Sequence, residues 1–391
     1  MTGAWTRVMA AGAVAGTGLA VVSGAAGWGT AHRLLAALAL PWLAGLLAVA
    51  WLSARPLLPP AAAAVSLFGL AALLTEPAVH LAAAALAFAA TALLAVRVAR
   101  RGAAGRAAAR DYVTLTKPRV MSLLLLTGGA AVFVGAGGLP GWGVFLVTLL
   151  GLALACGGAA ALNHYLDRDI DPLMGARTAS RPVAAGRMAP QLALEFGIAL
   201  TAASFVLLDA LVNLPTALLA LGGNLFYVLV YTRWLKRSTP QNIVVGGAAG
   251  AVPPLVGYAG ASGRLGWAAL VMFLVVFLWT PPHFWALALL IREQYAKAHV
   301  PMLPVVRGDR ETARQIAWYT VALVAATLVP VALGVFDLVY GVAALVLGAA
   351  FAWTALRLLR ETTRARAALV FHSSLAYLAL LFVAMALDAA V

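Results

Sequence analysis

Asn163, Asp167 and Asp171 follow one another at intervals of four in the run Asn163-His164-Tyr165-Leu166-Asp167-Arg168-Asp169-Ile170-Asp171, directly behind a long apolar stretch. On a helix that spacing puts the three side chains on one face, one turn apart. Two carboxylates roughly 6 Å apart repel by about 3 kcal/mol at an effective dielectric of about 20. A divalent cation removes that penalty. Oxygen donors that only partly surround an ion favour Mg²⁺, which keeps waters and shares substrate phosphate oxygens. The rival reading is a helix end whose acids pair with Arg168 and Arg177. The residues just downstream favour the cation: Arg177-Thr178-Ala179-Ser180-Arg181-Pro182, then Gly186-Arg187, set guanidinium and hydroxyl groups beside the acids. Acids for a metal and arginines for an anion make a diphosphate site.

Two further segments carry polar groups in an otherwise greasy chain. One holds Tyr227, Tyr231, Thr232, Arg233, Lys236 and Arg237, with Lys236 the leading anion contact. The other runs from Thr280-Pro281-Pro282-His283-Phe284-Trp285 to Arg292-Glu293-Gln294-Tyr295 and Pro301-Met302-Leu303-Pro304. Tandem prolines interrupt the hydrogen-bond ladder of a span and are tolerated where the helix lines a cavity; Pro253-Pro254 repeats the device one span earlier. His283 falls well inside the apolar region, where an ionisable group is a functional candidate by default. It has two readings, a hydrogen-bonding core residue or a metal or porphyrin contact.

These groups must be positioned by membrane helices. Of 391 residues, 64% are hydrophobic and 10% charged, and apolar runs near the ~20 residues that cross a bilayer recur throughout. The expected fold is an all-α polytopic membrane protein. Four segments, roughly 8–23, 34–53, 61–74 and 79–96, precede a basic break. Nine more come after it, roughly 120–134, 144–162, 192–212, 216–231, 243–258, 267–290, 316–335, 339–358 and 369–387. The resulting regions are 1–100, a basic cytoplasmic linker at 101–119, and a nine-helix unit at 120–391.

The net charge of +14 reports orientation before it reports nucleic acid. With the N-terminus inside, thirteen alternating spans leave only Arg33 and Arg264, of 27 Lys and Arg, on the outer side. The acids and most basic groups then face the cytoplasm, in a protein of the cell membrane. The first apolar run loosely fits a signal peptide, whose cleavage would leave the sidedness unchanged. Cys156, the single cysteine, lies in a span and excludes a disulfide framework.

Several motifs together carry a resemblance: Thr116-Lys117-Pro118-Arg119, the Asn163 to Asp171 run, Arg177-Thr178 with Arg181-Pro182, Tyr231-Thr-Arg-Trp-Leu-Lys236, Asn242-Ile-Val-Val-Gly-Gly247, Trp279-Thr-Pro-Pro-His-Phe-Trp285 and Pro301-Met-Leu-Pro-Val-Val306. The chain from about Asp111 onward resembles the protohaem IX farnesyltransferases (haem O synthases), which are UbiA-type intramembrane prenyltransferases. The resemblance implies conversion of haem B and farnesyl diphosphate to haem O and diphosphate. It further implies that Asn163, Asp167 and Asp171 hold Mg²⁺, and that Lys117, Arg177, Arg181 and Lys236 neutralise the diphosphate. Tyr227, Tyr231, Phe284 and Trp285 become candidates to flank the prenyl chain or the macrocycle. One departure stands out. Two adjacent acids are usual before the tyrosine of the third loop, and here Glu293 is followed by Gln294, so Glu293 alone is left for a second cation.

Residues 1–100 lie outside that resemblance. His32 and His80, each opening an apolar helix, faintly resemble half of a haem A synthase, in which paired histidines bind haem. No acid precedes His32 and no cysteine pair occupies the first outer loop, so a degenerate, structural or docking remnant is the other reading. Whether a haem A synthase partner docks there is left open. For the nine-helix unit, the competing readings are a prenyltransferase acting on a quinone precursor or a chlorophyllide, and a transporter with an anion pathway.

Overall fold

The computed structural model describes residues 109–391. The expectations for the first four spans, and for His32 and His80, lie outside these residues. Among the described residues nine helices are long and apolar enough to cross a membrane: α1 (Pro118–Ala136), α2 (Trp142–Leu166), α3 (Pro190–Leu211), α4 (Leu214–Ser238), α5 (Asn242–Ser262), α6 (Trp267–Leu290), α7 (Gly308–Ala332), α8 (Leu338–Arg360) and α9 (Arg364–Ala390). The protein is an integral membrane protein, and among the described residues the regular structure is all helical, as the sequence implies. The apolar cores of these helices match the expected spans, but several helices run on into polar sequence: α2 to Leu166, α4 to Ser238, and α7 from Gly308. The hydropathy limit marks the edge of the apolar layer; backbone hydrogen bonding continues the helix beyond it.

Each helix packs on its successor, and α9 closes the ring against α1. Cross-contacts of α5 with α1 and of α6 with α9 fill the middle. Helices α1 and α5 approach closely, and a Cβ added to Gly257 would collide with the carbonyl oxygen of Gly128. Small residues let membrane helices meet backbone to backbone, which matters where lipid supplies no hydrophobic drive for association. The proline pairs lie in α5 and α6 and are buried, so the peptide groups they free face protein and not hydrocarbon.

Alternating helices bring the long connections, 167–189 and 291–307, to one end of the bundle, together with the C-terminal end of α4 and the N-terminal end of α1. Trp142 and Trp267, both strongly exposed at the starts of α2 and α6, mark the opposite rim as interfacial anchors. Part of the expected basic linker is also built into the fold. Ala109–Leu115 is a helix whose Leu115 is fully buried in a cluster with Ala161, Val183, Met188 and Ala193. Arg187 Nε donates to the buried Asp111 at 3.1 Å and ties this helix to the loop after α2.

Candidate active site

The three residues of the leading motif converge, though not on one continuous helix. Helix α2 stops at Leu166, Asp167 is its C-cap, and Asp171 opens a 3₁₀ turn over Asp171–Met174. The four-residue register survives because Asp167 N–H donates to Asn163 C=O at 2.8 Å and Asp171 N–H to Asp167 C=O at 2.9 Å. Each side chain is at most 3% exposed. Asn163 Nδ2 donates to Asp167 Oδ2 at 2.8 Å and to Thr232 Oγ1 at 3.2 Å.

Basic groups enclose the acids from three elements. Lys236 Nζ is 2.5 Å from Asp167 Oδ2, Arg181 is 2.6 Å from Asp171 Oδ1, and Lys117 Nζ donates to Asn163 Oδ1 at 2.6 Å. Arg237 forks onto Asp169 at 2.5 and 2.7 Å and donates to the Leu166 carbonyl at 2.8 Å, which pins the loop to α4. The acids do not pair with Arg168 or Arg177. Arg168 donates to the Tyr165 carbonyl and lies 4.5 Å over that ring. Arg177 is exposed on the short helix Ala176–Ala179, and the structure does not bring it to the acids as it brings Arg181.

The local backbone explains how Lys117 and Lys236 arrive. Lys117 adopts a left-handed conformation, φ 51 and ψ 58, immediately before Pro118. The α region is disfavoured before proline, and a non-glycine residue at positive φ is strained. Such strain tends to be kept where function needs it. Helix α4 widens into a π-helix over Phe226–Leu235, a rare form that clusters at functional sites. It carries Thr232 and Lys236 to Asn163 and Asp167. Burial, with the Arg181 charge beside it, pulls the Lys117 ammonium down to about 7. Burial also raises the Asp171 carboxyl against the opposing pull of Arg181.

Two carboxylate oxygens are left over. Asp167 Oδ1 and Asp171 Oδ2 are buried without a hydrogen-bond partner among the described residues, and Arg237 approaches Asp167 Oδ1 only to 3.7 Å. Free carboxylate oxygens inside a ring of cations suit a small oxygen-seeking ion or ordered water. Among the described residues no three His, Cys, Asp or Glu side chains gather to hold a metal unaided. Glu293 is exposed on the helix Arg292–Lys297 and does not join the acids. Its neighbour Gln294 faces the acid loop: a Cβ on Gly175 would stand 3.2 Å from Gln294 Cδ.

The aromatic candidates separate. The rings of Tyr227 and Tyr231 lie 5.4 Å apart on the wide turn of α4, and their charge environment includes Asp167. Tyr295, to which the sequence motifs assign no role, joins that neighbourhood, its hydroxyl pushed up to about 12 by burial. Trp285 is 1% exposed and edge-on to Tyr319 at 5.4 Å, a core position between α6 and α7. His283 is stacked between Trp279, at 4.3 Å, and Phe371, at 4.8 Å, with Nδ1 2.7 Å from Ser374 Oγ. That is the core-residue arrangement.

A nine-helix ring with buried acids, an amide and four basic side chains at one end narrows the field before any comparison. The sequence profile described as the UbiA prenyltransferase family matches residues 123–383. The chain belongs to the UbiA prenyltransferase family. Within it, the chain is 56% identical over 281 residues to a "Protoheme IX farnesyltransferase" of Symbiobacterium thermophilum, covering 71% of this chain and 94% of that protein. Among solved UbiA-like folds, the structure resembles a chain described under digeranylgeranylglyceryl phosphate synthase, with TM-score 0.61, 18% identity, and coverage of 72% and 98%. A UbiA homologue from Archaeoglobus fulgidus, described as bound to GPP and Mg²⁺, aligns with TM-score 0.53 and 17% identity over 70% of this chain and 99% of that one. At such identities the structural likeness speaks for the UbiA fold alone. It agrees with the sequence motifs, all of which except the N-terminal Thr116-Lys117-Pro118-Arg119 lie inside the matched residues.

Proposed function

We propose that this protein transfers a farnesyl group from farnesyl diphosphate to a vinyl group of protohaem IX, with release of diphosphate and formation of haem O for terminal oxidase assembly. The observation that carries the reading is the ring of Lys117, Arg181, Lys236 and Arg237 around buried, incompletely bonded Asp167 and Asp171. The acceptor comes from the close relative, named for protohaem IX. That name favours haem over a quinone precursor or a chlorophyllide.

Asn163, Asp167 and Asp171 would hold Mg²⁺, whose chemistry is to take up the charge that grows on the leaving diphosphate. The chain's own residues do the rest. Lys117 and Lys236 present ammonium groups to the same point from two different elements. Arg181 offers a planar guanidinium suited to paired phosphate oxygens. Arg237 fixes the loop that carries Asp167 through its fork on Asp169. Tyr227 and Tyr231, within α4, and Tyr295, from the loop after α6, would wall the site where a farnesyl cation must be kept from water until the vinyl carbon attacks. Water then captures the new cation beside the ring and loses a proton to solvent, leaving a hydroxyl. The acid-bearing end faces the cytoplasm in the cell membrane, because it carries nearly all the basic residues.

The test is a mass spectrum of haem extracted from membranes that express the chain, with and without farnesyl diphosphate and Mg²⁺. A gain of one hydroxyethylfarnesyl substituent, dependent on both additions, is the expected result. Unmodified haem beside a prenylated quinone precursor would sink the haem reading and keep the prenyl transfer.

A further inference from the structure

His164 is the residue that this chemistry leaves unused. It is 1% exposed and sits one residue after Asn163, yet neither Nδ1 nor Nε2 has a hydrogen-bond partner among the described residues. Two unsatisfied nitrogens on one buried ring are rare, since each forfeits its bonds to water and regains nothing. Apolar residues are abundant on this helix, where Ala159, Ala160 and Ala161 pack just upstream. A leucine would be the cheaper occupant if packing were the only demand.

The surroundings say what the ring is kept for. The charges that reach it belong to Lys117 and Arg181, the same two groups that clasp Asn163 and Asp171. Whatever its protonation state, the imidazole has at least one N–H donor. In a pocket with this excess of positive charge, the fitting partner for the N–H is an anionic oxygen or a water bound to one. We infer that His164 is an additional diphosphate-positioning residue, a donor whose hydrogen bond is completed only when a diphosphate binds beside Lys117 and Arg181, directly or through one water.

This role rests on the diphosphate reading of the site. It adds a claim which that reading does not need: a residue carried in an unsatisfied state, stability yielded at a working site.

The experiment uses the full chain in lipid nanodiscs, with inorganic pyrophosphate and Mg²⁺ as the probe. Thermal unfolding and calorimetric binding are followed for wild type, His164→Leu and His164→Asn. His164→Leu should unfold at the same or a higher temperature than wild type without the probe, because two orphaned nitrogens have gone. It should bind pyrophosphate about tenfold or more weakly, the loss of one hydrogen bond to a charged partner. The upward shift in unfolding temperature that pyrophosphate gives wild type should shrink with it. His164→Asn keeps a short donor and should recover part of the affinity. In turnover, the KM for farnesyl diphosphate should rise while the KM for haem holds.

The inference is overturned if His164→Leu binds pyrophosphate as wild type does, or if it is markedly less stable without the probe, which would mark a structural ring. Should His164→Leu fail to insert, His164→Asn decides alone, with unchanged pyrophosphate affinity and lowered stability counting against the inference. If wild type itself binds no pyrophosphate in the presence of Mg²⁺, the diphosphate reading has failed and this inference falls with it. A variant that binds like wild type removes only the role of His164.

Discussion

Lys236 Nζ stands 2.5 Å from Asp167 Oδ2, a cation of α4 closed onto the C-cap of α2. Both side chains are largely buried, so each holds the other in an environment where neither charge is stable alone. In this arrangement the protein neutralises its own acids. An ion held by Asp167 would free Lys236 for a phosphate oxygen.

Replacing either acid therefore removes a proposed ligand and also strands a cation. Asp167→Ala and Asp171→Ala should each lower haem O formation at least about a hundredfold, the scale on which single electrostatic contacts to a transition state act. Immunoblots of membranes should show the variants inserted at normal levels. Wild-type turnover by either one would remove the acids from the mechanism.

Lys236→Met keeps the length of the side chain and deletes its charge. We expect kcat/KM for farnesyl diphosphate to fall about ten- to a hundredfold, in keeping with about 1.5–3 kcal/mol for a hydrogen bond to a charged group. Steady-state kinetics with varied haem at saturating farnesyl diphosphate should show the haem KM little changed. A defect confined to haem would assign Lys236 elsewhere.

Gly257→Ala probes the α1–α5 contact, because the new methyl would meet the Gly128 carbonyl. Overpacking a tight contact costs about 1–3 kcal/mol, seen as a lower unfolding temperature in detergent. Gly250→Ala on the same helix meets nothing within 4 Å and should be neutral, or stabilising by up to about 1 kcal/mol. Equal behaviour of the two would rule out a tight backbone contact there.

Trp285→Phe should leave turnover within about twofold of wild type and lower stability by about 1–3 kcal/mol, because the smaller ring leaves a cavity in the core. The indole is fully buried and its Nε1–H has no partner to lose among the described residues. A selective rise in the KM for haem would restore Trp285 as a substrate contact.

Much of this protein was legible in one dimension. Hydropathy alone places the nine spans, since crossing a bilayer demands runs of apolar residues whatever the bundle does with them. The spacing of Asn163, Asp167 and Asp171 is likewise local, because each successive backbone hydrogen bond reaches four residues back. Basic residues gathered in alternate loops put Lys117, Arg181 and Lys236 at one end, and the motif order pointed to the family.

Tertiary structure decided which of those residues meet. Arg181 and Arg177 are equally basic and four apart, and only the 3₁₀ turn and short helix after Asp171 turn the first inward and leave the second exposed. The π-helix that delivers Thr232 and Lys236 has no sequence signature, because it depends on what α4 packs against. The orphaned nitrogens of His164 and the fork of Arg237 on Asp169 are relations between distant segments. Periodicity and composition describe how a residue sits on its own helix. Which partner it finds there, or is denied, is settled by the packing of other helices around it, and the chemistry of this site depends on those partners.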